Sequence, residues 1–231
     1  MIQDKELGSI TFEQSTKAKR LRAMILPDGV KVILPRGCSE KEGMAFVESV
    51  RGKIKSTQEK IEHKSILITE EKPLQTLTFR VLVKKAARKD IFSSLKSGVL
   101  TIEYPDFLKT EDTKTQQYFW NSINYFLRQE AKRLLPNRTY ELAKQFGFKF
   151  SDVKVQSSKT RWGSCSRRKS INLSFYLLLT PQHLIDYVIL HELCHTMEMN
   201  HGDKFWALME QVTQNKSKLL RNELKKYSMP R

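Results

Sequence analysis

The segment that most constrains this chain is His191-Glu192-Leu193-Cys194-His195, which lies in a stretch of helical periodicity. We expect that helix to have Thr180 as its N-cap and Pro181 as its first residue, and to end near Met199. Histidines four residues apart on a helix point roughly 40° apart around its axis and lie roughly 6 Å apart along it. Both rings can therefore reach a single ion.

The residue types in this segment indicate metal-dependent hydrolysis. Imidazole nitrogen suits zinc, which in catalytic sites keeps one position open for water, so His191 and His195 are predicted ligands and zinc the predicted cofactor. The ion would lower the pKa of the water and polarise a scissile carbonyl. Glu192 would accept the proton and pass it to the leaving group. A peptide bond is the favoured substrate.

A site of this kind needs a third protein ligand, and two residues compete for that position. His201 follows His191 by ten residues and precedes Gly202, whose backbone freedom eases a turn back toward the ion. Glu210, on the helix predicted to follow, is the alternative. His201 is preferred, although the chain has glutamate at position 198 where the metzincin spacing has glycine, so the turn must differ from that motif.

The three cysteines, Cys38, Cys165 and Cys194, are an odd number and lie far apart in the sequence. Cys194 is a possible zinc ligand, but a lone helical cysteine is more often a small buried hydrophobe. A nucleophilic Cys165 paired with His191 is a further alternative, which is disfavoured because nothing in the sequence indicates a depressed thiol pKa. The pattern favours a reducing, cytoplasmic setting.

Two absences also favour the cytoplasm. No stretch approaches the roughly 20 apolar residues that a membrane span requires. The N-terminus, Met1-Ile2-Gln3-Asp4-Lys5-Glu6, lacks the basic start and apolar middle of a secretion signal. We therefore expect a cytoplasmic protein without a membrane partner.

The chain is strongly basic, with 41 Lys and Arg residues against 25 Asp and Glu residues and a formal net charge of +16. Such a charge favours anionic partners, most often nucleic acid. The excess of basic residues is spread along the chain, and the C-terminal tail is the one segment in which basic residues cluster. A solvated basic surface is therefore an equally good interpretation.

The apolar patterns predict an α+β protein with a domain boundary after residue 110. Residues 1–110 are expected to form a small β-rich domain with one helix, which a capping box of Ser39 and Glu42 opens and which runs toward His63. No internal repeat is evident. The predicted strands of this domain are 19–26, 30–34, 76–83 and 99–104, the first two joined by the turn Pro27-Asp28-Gly29.

Residues 111–231 are expected to form a second domain that is richer in helices. A long helix begins near Glu111 and is predicted to stop at Pro136, and a short helix from Arg138 to Phe146 is predicted to end at Gly147. The remaining predicted elements are strands over 152–156, 162–165 and 171–178, the helix that carries the histidines, and a last helix capped by Asp203.

Five groups of residues resemble the YgjP-like metallopeptidase family, and more distantly the SprT and WLM zinc peptidases. The close match covers about residues 155 to 210, and the N-terminal half matches in its hairpin and the helix after it. The residues that carry the resemblance are Arg161-Trp162-Gly163-Ser164-Cys165-Ser166, Ile171-Asn172-Leu173, Ile185-Asp186-Tyr187-Val188, His191-Glu192-Leu193-Cys194-His195, and Asn200-His201-Gly202 with Phe205-Trp206.

The resemblance implies a zincin-like domain in which a β-sheet packs on the metal-binding helix. It implies His191, His195 and His201 as zinc ligands and Glu192 as the catalytic base. It also suggests that a strand formed by Trp162-Gly163-Ser164 lies beside that helix and offers an edge to an extended peptide. Arg161 or Ser164 would then contact the substrate or the developing oxyanion.

Three functions follow from these observations. The first is a cytoplasmic zinc peptidase that acts on a peptide or protein. The second is a metal-dependent nucleoside triphosphate pyrophosphohydrolase, acting for example on UTP. The third is a nucleic-acid-associated protein anchored by its basic tail. The imidazole-rich cluster favours peptide chemistry, because phosphate-cleaving enzymes usually hold magnesium or manganese with several carboxylates.

Overall fold

The computed structural model describes the whole chain except residues 27–28, 63–65 and 231, and except the side chains of residues 59–62. Helices and strands are mixed along the chain, which confirms the predicted α+β class. The chain divides into two compact units, Met1–Ile66 and Leu67–Pro230, which we call the first unit and the second unit.

The first unit contains a four-stranded sheet and two helices. The predicted hairpin is present as two antiparallel strands, with Leu26 opposite Gly29, although Pro27 and Asp28 of its turn lie outside the described residues. The core of this unit is formed by apolar residues of the strands and helices, among them Ile10, Val32 and Val47. The strands are β1 (Ile2–Asp4), β2 (Gly8–Ser15), β3 (Arg22–Leu26) and β4 (Gly29–Pro35), in the order β1-β2-β4-β3.

The capping box predicted for the first helix is confirmed. The Ser39 hydroxyl accepts a hydrogen bond from the Glu42 backbone N–H, and the Glu42 carboxylate accepts one from the Ser39 backbone N–H. The helix is interrupted at Val50, so that it becomes two helices, α1 (Glu40–Ser49) and α2 (Arg51–Glu62). His63, toward which it was predicted to run, lies outside the described residues.

The second unit opens with a sheet of the same topology, a repeat that the sequence analysis missed. In both sheets the two inner strands are parallel to each other, and each outer strand is antiparallel to its neighbour. In both, the third strand in sequence forms a hairpin with the fourth. The second sheet contains β5 (Leu74–Gln75), β6 (Arg80–Ala86), β7 (Phe92–Lys96) and β8 (Val99–Pro105), in the order β5-β6-β8-β7. The shared feature is alternating burial rather than identical residues: Val30, Val32 and Leu34 in β4, and Leu100, Ile102 and Tyr104 in β8.

The start of the second unit near residue 67 differs from the predicted domain boundary after residue 110. The physical reason is a common core, because β6 and β8 bury their apolar side chains against the helix that follows them. The ring of Tyr104, for example, lies edge-on to that of Phe119 with centroids 5.3 Å apart.

One continuous helix, α3 (Thr113–Phe146), replaces the two helices predicted on either side of Pro136. That prediction was wrong. Proline removes one backbone donor from a helix, but Leu135 and Leu142 on both sides of it are buried in the same core, and this packing keeps the helix continuous. The helix ends as expected at Gly147, which is left-handed with φ of 75° and donates its N–H to Ala143.

The remaining elements form the part of the second unit that carries the histidines. The third sheet has the order β10-β11-β9, with β10 antiparallel and β9 parallel to the central strand β11. No described helix is long and apolar enough to cross a lipid bilayer. The elements are β9 (Asp152–Gln156), β10 (Gly163–Cys165), β11 (Ser170–Ser174), a 3-10 helix (Phe175–Leu179), α4 (Gln182–Cys194), α5 (Asp203–Val212) and α6 (Ser217–Leu224).

Candidate metal centre

Helix α4 presents the first two histidines and ends earlier than predicted. Its last residue is Cys194 rather than a residue near Met199, because the chain tightens into a turn where the Thr196 N–H bonds the Leu193 carbonyl and the Glu198 N–H bonds that of Cys194. At its start, Thr180 is not the N-cap, since its hydroxyl bonds the Leu177 carbonyl of the preceding 3-10 helix. The early end lets the chain turn back toward the histidine rings.

Three imidazole nitrogens converge at this turn. Nε2 of His191 lies 3.2 Å from Nε2 of His195 and 3.1 Å from Nε2 of His201. Ligands of a regular tetrahedral zinc ion, each about 2.0–2.1 Å from the metal, lie about 3.3–3.4 Å apart. The two distances from Nε2 of His191 match this spacing, and the ligand atoms of all three histidines lie within 4.8 Å of one another, as a single zinc-sized ion requires. We call these three residues the histidine triad.

The surroundings of the histidine triad orient its rings. Nδ1 of His195 lies 3.0 Å from the Glu198 carbonyl oxygen, so Nδ1 carries the proton and Nε2 keeps a free lone pair. The buried ring of Phe205 stacks on that of His195, with centroids 4.5 Å apart. Nδ1 of His191 is buried and has no hydrogen-bond partner among the described residues.

Burial keeps His191 and His195 ready to bind a cation. Removal of water, reinforced by the charges of His195 and His201, lowers the pKa of His191 to about 3. Burial is also the main cause that lowers the pKa of His195. Neutral imidazoles hold lone pairs that are free for a metal, because metal binding requires deprotonated ligands.

Glu192 lies on the same helix as His191 and is almost completely buried, with 5% of its surface exposed. This burial raises the pKa of its carboxyl group to about 8, and the positive charge of Arg161 partly opposes the increase. No described group donates a hydrogen bond to this carboxylate. A carboxyl group with a pKa near neutrality can both accept and return a proton.

The strand that was predicted to bind substrate lies directly beside this carboxylate. Gly163 is so close to Glu192 that an added Cβ would lie 2.7 Å from its Oε1. Ser164 pairs with Asn172 of β11, and the other side of β10 is an edge of the sheet. Trp162 is half-buried and packs on the core, whereas Arg161 is exposed.

The alternative ligands identified in the sequence are engaged elsewhere or protonated. The carboxylate of Glu210 accepts hydrogen bonds from the hydroxyl and the backbone N–H of Ser217. Burial raises the pKa of the Cys194 thiol to about 12. Burial, together with the charge of Glu192, raises the pKa of the Cys165 thiol to about 11. Neither thiol is therefore a thiolate at neutral pH.

A residue that the sequence analysis did not single out also lies near the site. The guanidinium carbon of Arg221, on α6, lies 5.1 Å from the centroid of the Trp206 ring. That ring is in turn 5.9 Å from the ring of His201. No spacing in the sequence links Arg221 to the histidine segment, because α5 and the turn after it separate them.

Comparison with known proteins gives a family match that spans most of the chain. The model of the YgjP-like metallopeptidase domain matches residues 19–227, which is most of the chain. No curated protein matches the chain in sequence.

Two crystal structures of metallopeptidase zymogens are similar to part of the chain. They are Pyrococcus abyssi abylysin, with 19% identity and a TM-score of 0.37, and Methanocaldococcus jannaschii jannalysin, with 22% identity and a TM-score of 0.36. Each similarity covers 40% of this chain and 94% of the other. The extent of the family match supports a metal-dependent hydrolase that acts on peptide bonds. The chain belongs to the YgjP-like metallopeptidase family.

Proposed function

We propose that the protein is a zinc-dependent peptidase in which His191, His195 and His201 hold the ion and Glu192 is the general base. The observation that carries this proposal is the convergence of the three imidazoles, with Nε2 of His191 3.2 Å from that of His195 and 3.1 Å from that of His201, together with a buried carboxylate, Glu192, on the same helix. Family membership supports the peptidase activity.

The residues of the site have separate roles in this proposal. A bound zinc ion would supply Lewis acidity, which activates a water and polarises the carbonyl that the water attacks. Glu192 accepts the proton of the attacking water, and its raised pKa lets it return the proton to the leaving nitrogen. The burial of Glu192 and His195 lowers the local dielectric and strengthens both interactions.

The open edge of β10 is proposed to bind the substrate backbone. An extended peptide that pairs with Gly163 and Ser164 would become a fourth strand of the sheet. Because Gly163 lies against Glu192, a peptide on this edge would pass directly over the catalytic carboxylate. Trp162 would support the strand from the core, and the exposed Arg161 would face the developing oxyanion or the substrate.

Phosphate chemistry has less support. In the part of the chain that the structure describes, the histidine triad is the one group of three candidate ligands with its ligand atoms within 4.8 Å of each other. Magnesium and manganese sites of nucleotide-cleaving enzymes use oxygen ligands instead. Nucleic-acid association rests on the net charge of +16 alone.

A cytoplasmic location is part of the proposal. Its support is that Cys38, Cys165 and Cys194 are all free thiols in the structure. Free cysteines persist in a reducing compartment. Fractionation of cells that express the full chain tests this location, and recovery of the protein outside the cytoplasm would contradict it.

The decisive experiment measures metal content and turnover in parallel. We expect one zinc per chain, and hydrolysis of unfolded protein but not of nucleoside triphosphates. Glu192→Gln should keep the zinc and lose turnover, and His201→Ala should lose zinc affinity. Glu210→Ala is the matched control and should retain the metal. Loss of zinc in the Glu210 variant alone would show that the third ligand is misassigned.

A further inference from the structure

Arg221 is a cation beside the metal centre. Its guanidinium carbon lies 5.1 Å from the centroid of the Trp206 ring. That ring is 5.9 Å from the ring of His201, the exposed member of the histidine triad. The guanidinium is therefore within about 11 Å of the His201 ring, a distance that about three residues of an extended peptide span.

The hydrogen-bond donors of this guanidinium are unused within the described part of the chain, where it forms no ion pair and no hydrogen bond. Two carboxylates, one on α5 and one on α6 itself, have other partners: Glu210 accepts from Ser217, and Glu223 lies 2.8 Å from Nε2 of His183. The cation–π contact with Trp206 does not use the N–H groups of the guanidinium, which stay available for a ligand. Five donors in a planar fork suit a carboxylate.

The positive charge of Arg221 also reaches the site. Burial and the neighbouring imidazoles lower the pKa of His191, and the charge of Arg221 lowers it further. It also opposes the increase that burial causes in the pKa of Tyr187. The positive charge of Arg161 acts in the same way on Glu192, where it partly offsets the increase that burial causes in the pKa of the carboxyl group. Two cations, Arg221 and Arg161, therefore act on residues of the proposed site.

We propose that Arg221, which lies over the Trp206 ring, is a specificity residue that binds a carboxylate of the substrate within about three residues of the cleaved bond. The carboxylate belongs either to an aspartate or glutamate side chain or to the C-terminus of the peptide. The inference rests on the proposed peptidase function and narrows its substrate class to anionic peptides. Recognition by a fixed guanidinium provides selectivity without a deep pocket.

Peptide retention on a protein that does not cleave tests this inference. The probe is a randomised pool of acetylated hexapeptides, made once with a free C-terminus and once as the C-terminal amide. Both pools are passed over immobilised, zinc-loaded full-length Glu192→Gln protein, and retained peptides are identified by mass spectrometry. The same experiment is done with Arg221→Gln added, and with Lys225→Gln added as the control. Lys225 is an exposed cation that caps the C-terminal end of α6, four residues after Arg221, and its loss removes the same charge.

We expect carboxylate-bearing peptides to be enriched about fivefold, at the upper end of what an exposed ion pair contributes. Arg221→Gln should remove the enrichment, and Lys225→Gln should keep it. Enrichment of peptides that contain aspartate or glutamate in the amide pool assigns the carboxylate to a side chain. Stronger retention of the free pool than of the amide pool, without that enrichment, assigns it to the C-terminus. Equal retention by the two variants, or the absence of any carboxylate preference, would overturn the inference. Turnover of the pools by the wild-type protein tests the peptidase function separately.

Discussion

Gly163 and Glu192 are packed backbone against side chain, with no room for a β-carbon between them. A Cβ built on Gly163 would lie 2.7 Å from both Cγ and Oε1 of Glu192. Side chains do not approach each other this closely, so a larger residue at position 163 must displace the carboxylate or the strand. The identity of one residue in the sheet thus controls the position of the proposed base on the helix.

Gly163→Ala is therefore expected to lower turnover by about 10- to 100-fold while leaving zinc bound, because small displacements of a catalytic group are costly and the histidine triad is untouched. Peptide hydrolysis and metal content measured on one preparation check this. Gly52→Ala is the control, since nothing lies within 4 Å of a Cβ at that position. Equal activity of the two variants would contradict the assigned role of the glycine.

Because the carboxyl group of Glu192 is buried, we expect the free energy of unfolding of the metal-free protein to depend on pH. Its pKa is raised from 4.5 to about 8, so the folded protein keeps a proton that the unfolded chain releases between these values. Stability is therefore lost as the pH rises from about 4.5 to about 8. Glu192→Gln removes this loss and is expected to stabilise the metal-free protein by on the order of 3 kcal/mol at pH 8.

Urea unfolding of the metal-free wild type and of Glu192→Gln at pH 5 and pH 8 measures this effect. The two proteins should have nearly equal free energies of unfolding at pH 5 and diverge at pH 8. The lowered pKa of His191 destabilises both proteins alike in acid, so it cancels from the difference. A constant difference at the two pH values would contradict the titration of Glu192.

An ion pair joins the long helix to the histidine helix. Nε and Nη2 of Arg138 on α3 each donate a hydrogen bond of 2.8 Å to the carboxylate of Asp186, which lies on α4 before the histidines. Arg138→Met should lower the free energy of unfolding by about 1 kcal/mol, because the pair is bidentate but partly exposed. Chemical unfolding of the zinc-loaded protein measures the loss.

Arg133→Met is the matched control for that variant. Arg133 pairs with Glu130 within α3, and its side chain is 63% exposed. A pair of this kind contributes at most about 0.5 kcal/mol. Equal destabilisation by the two substitutions would show that the link between the helices has no special importance.

The second unit is expected to fold and bind zinc without the first. Its core lies entirely within residues 67–230, and the core of the first unit is separate. A chain that begins at residue 67 should unfold cooperatively and hold as much zinc as the full chain, as measured by calorimetry and metal analysis. Failure to fold would show that residues 1–66 are required for the fold.

Local sequence signals predicted those parts of the protein that local interactions determine. The capping box of Ser39 and Glu42 and the turn at Gly147 depend on hydrogen bonds within a few residues, and both are present. The spacing of His191, His195 and His201 also placed three rings close together, because a helix and one turn are enough to do so.

Features that depend on distant contacts were missed. The helix continues through Pro136 because a core formed by other elements holds both of its halves, and no pattern around the proline shows that core. The histidine helix stops at Cys194 rather than near Met199 because the following turn provides alternative hydrogen bonds. Arg221 contacts Trp206 only because α6 packs near α5, so its position beside the site depends on tertiary structure that local sequence patterns do not show.

The shared topology of the two four-stranded sheets has an evolutionary consequence. Two sheets with the same strand order, each followed by a helix, are the expected product of tandem duplication of one ancestral segment. The two sheets differ in their packing: the second shares a core with the histidine helices, and the first has a separate core. Homologues that differ in length by one whole copy are therefore expected to retain the chemistry of the longer forms.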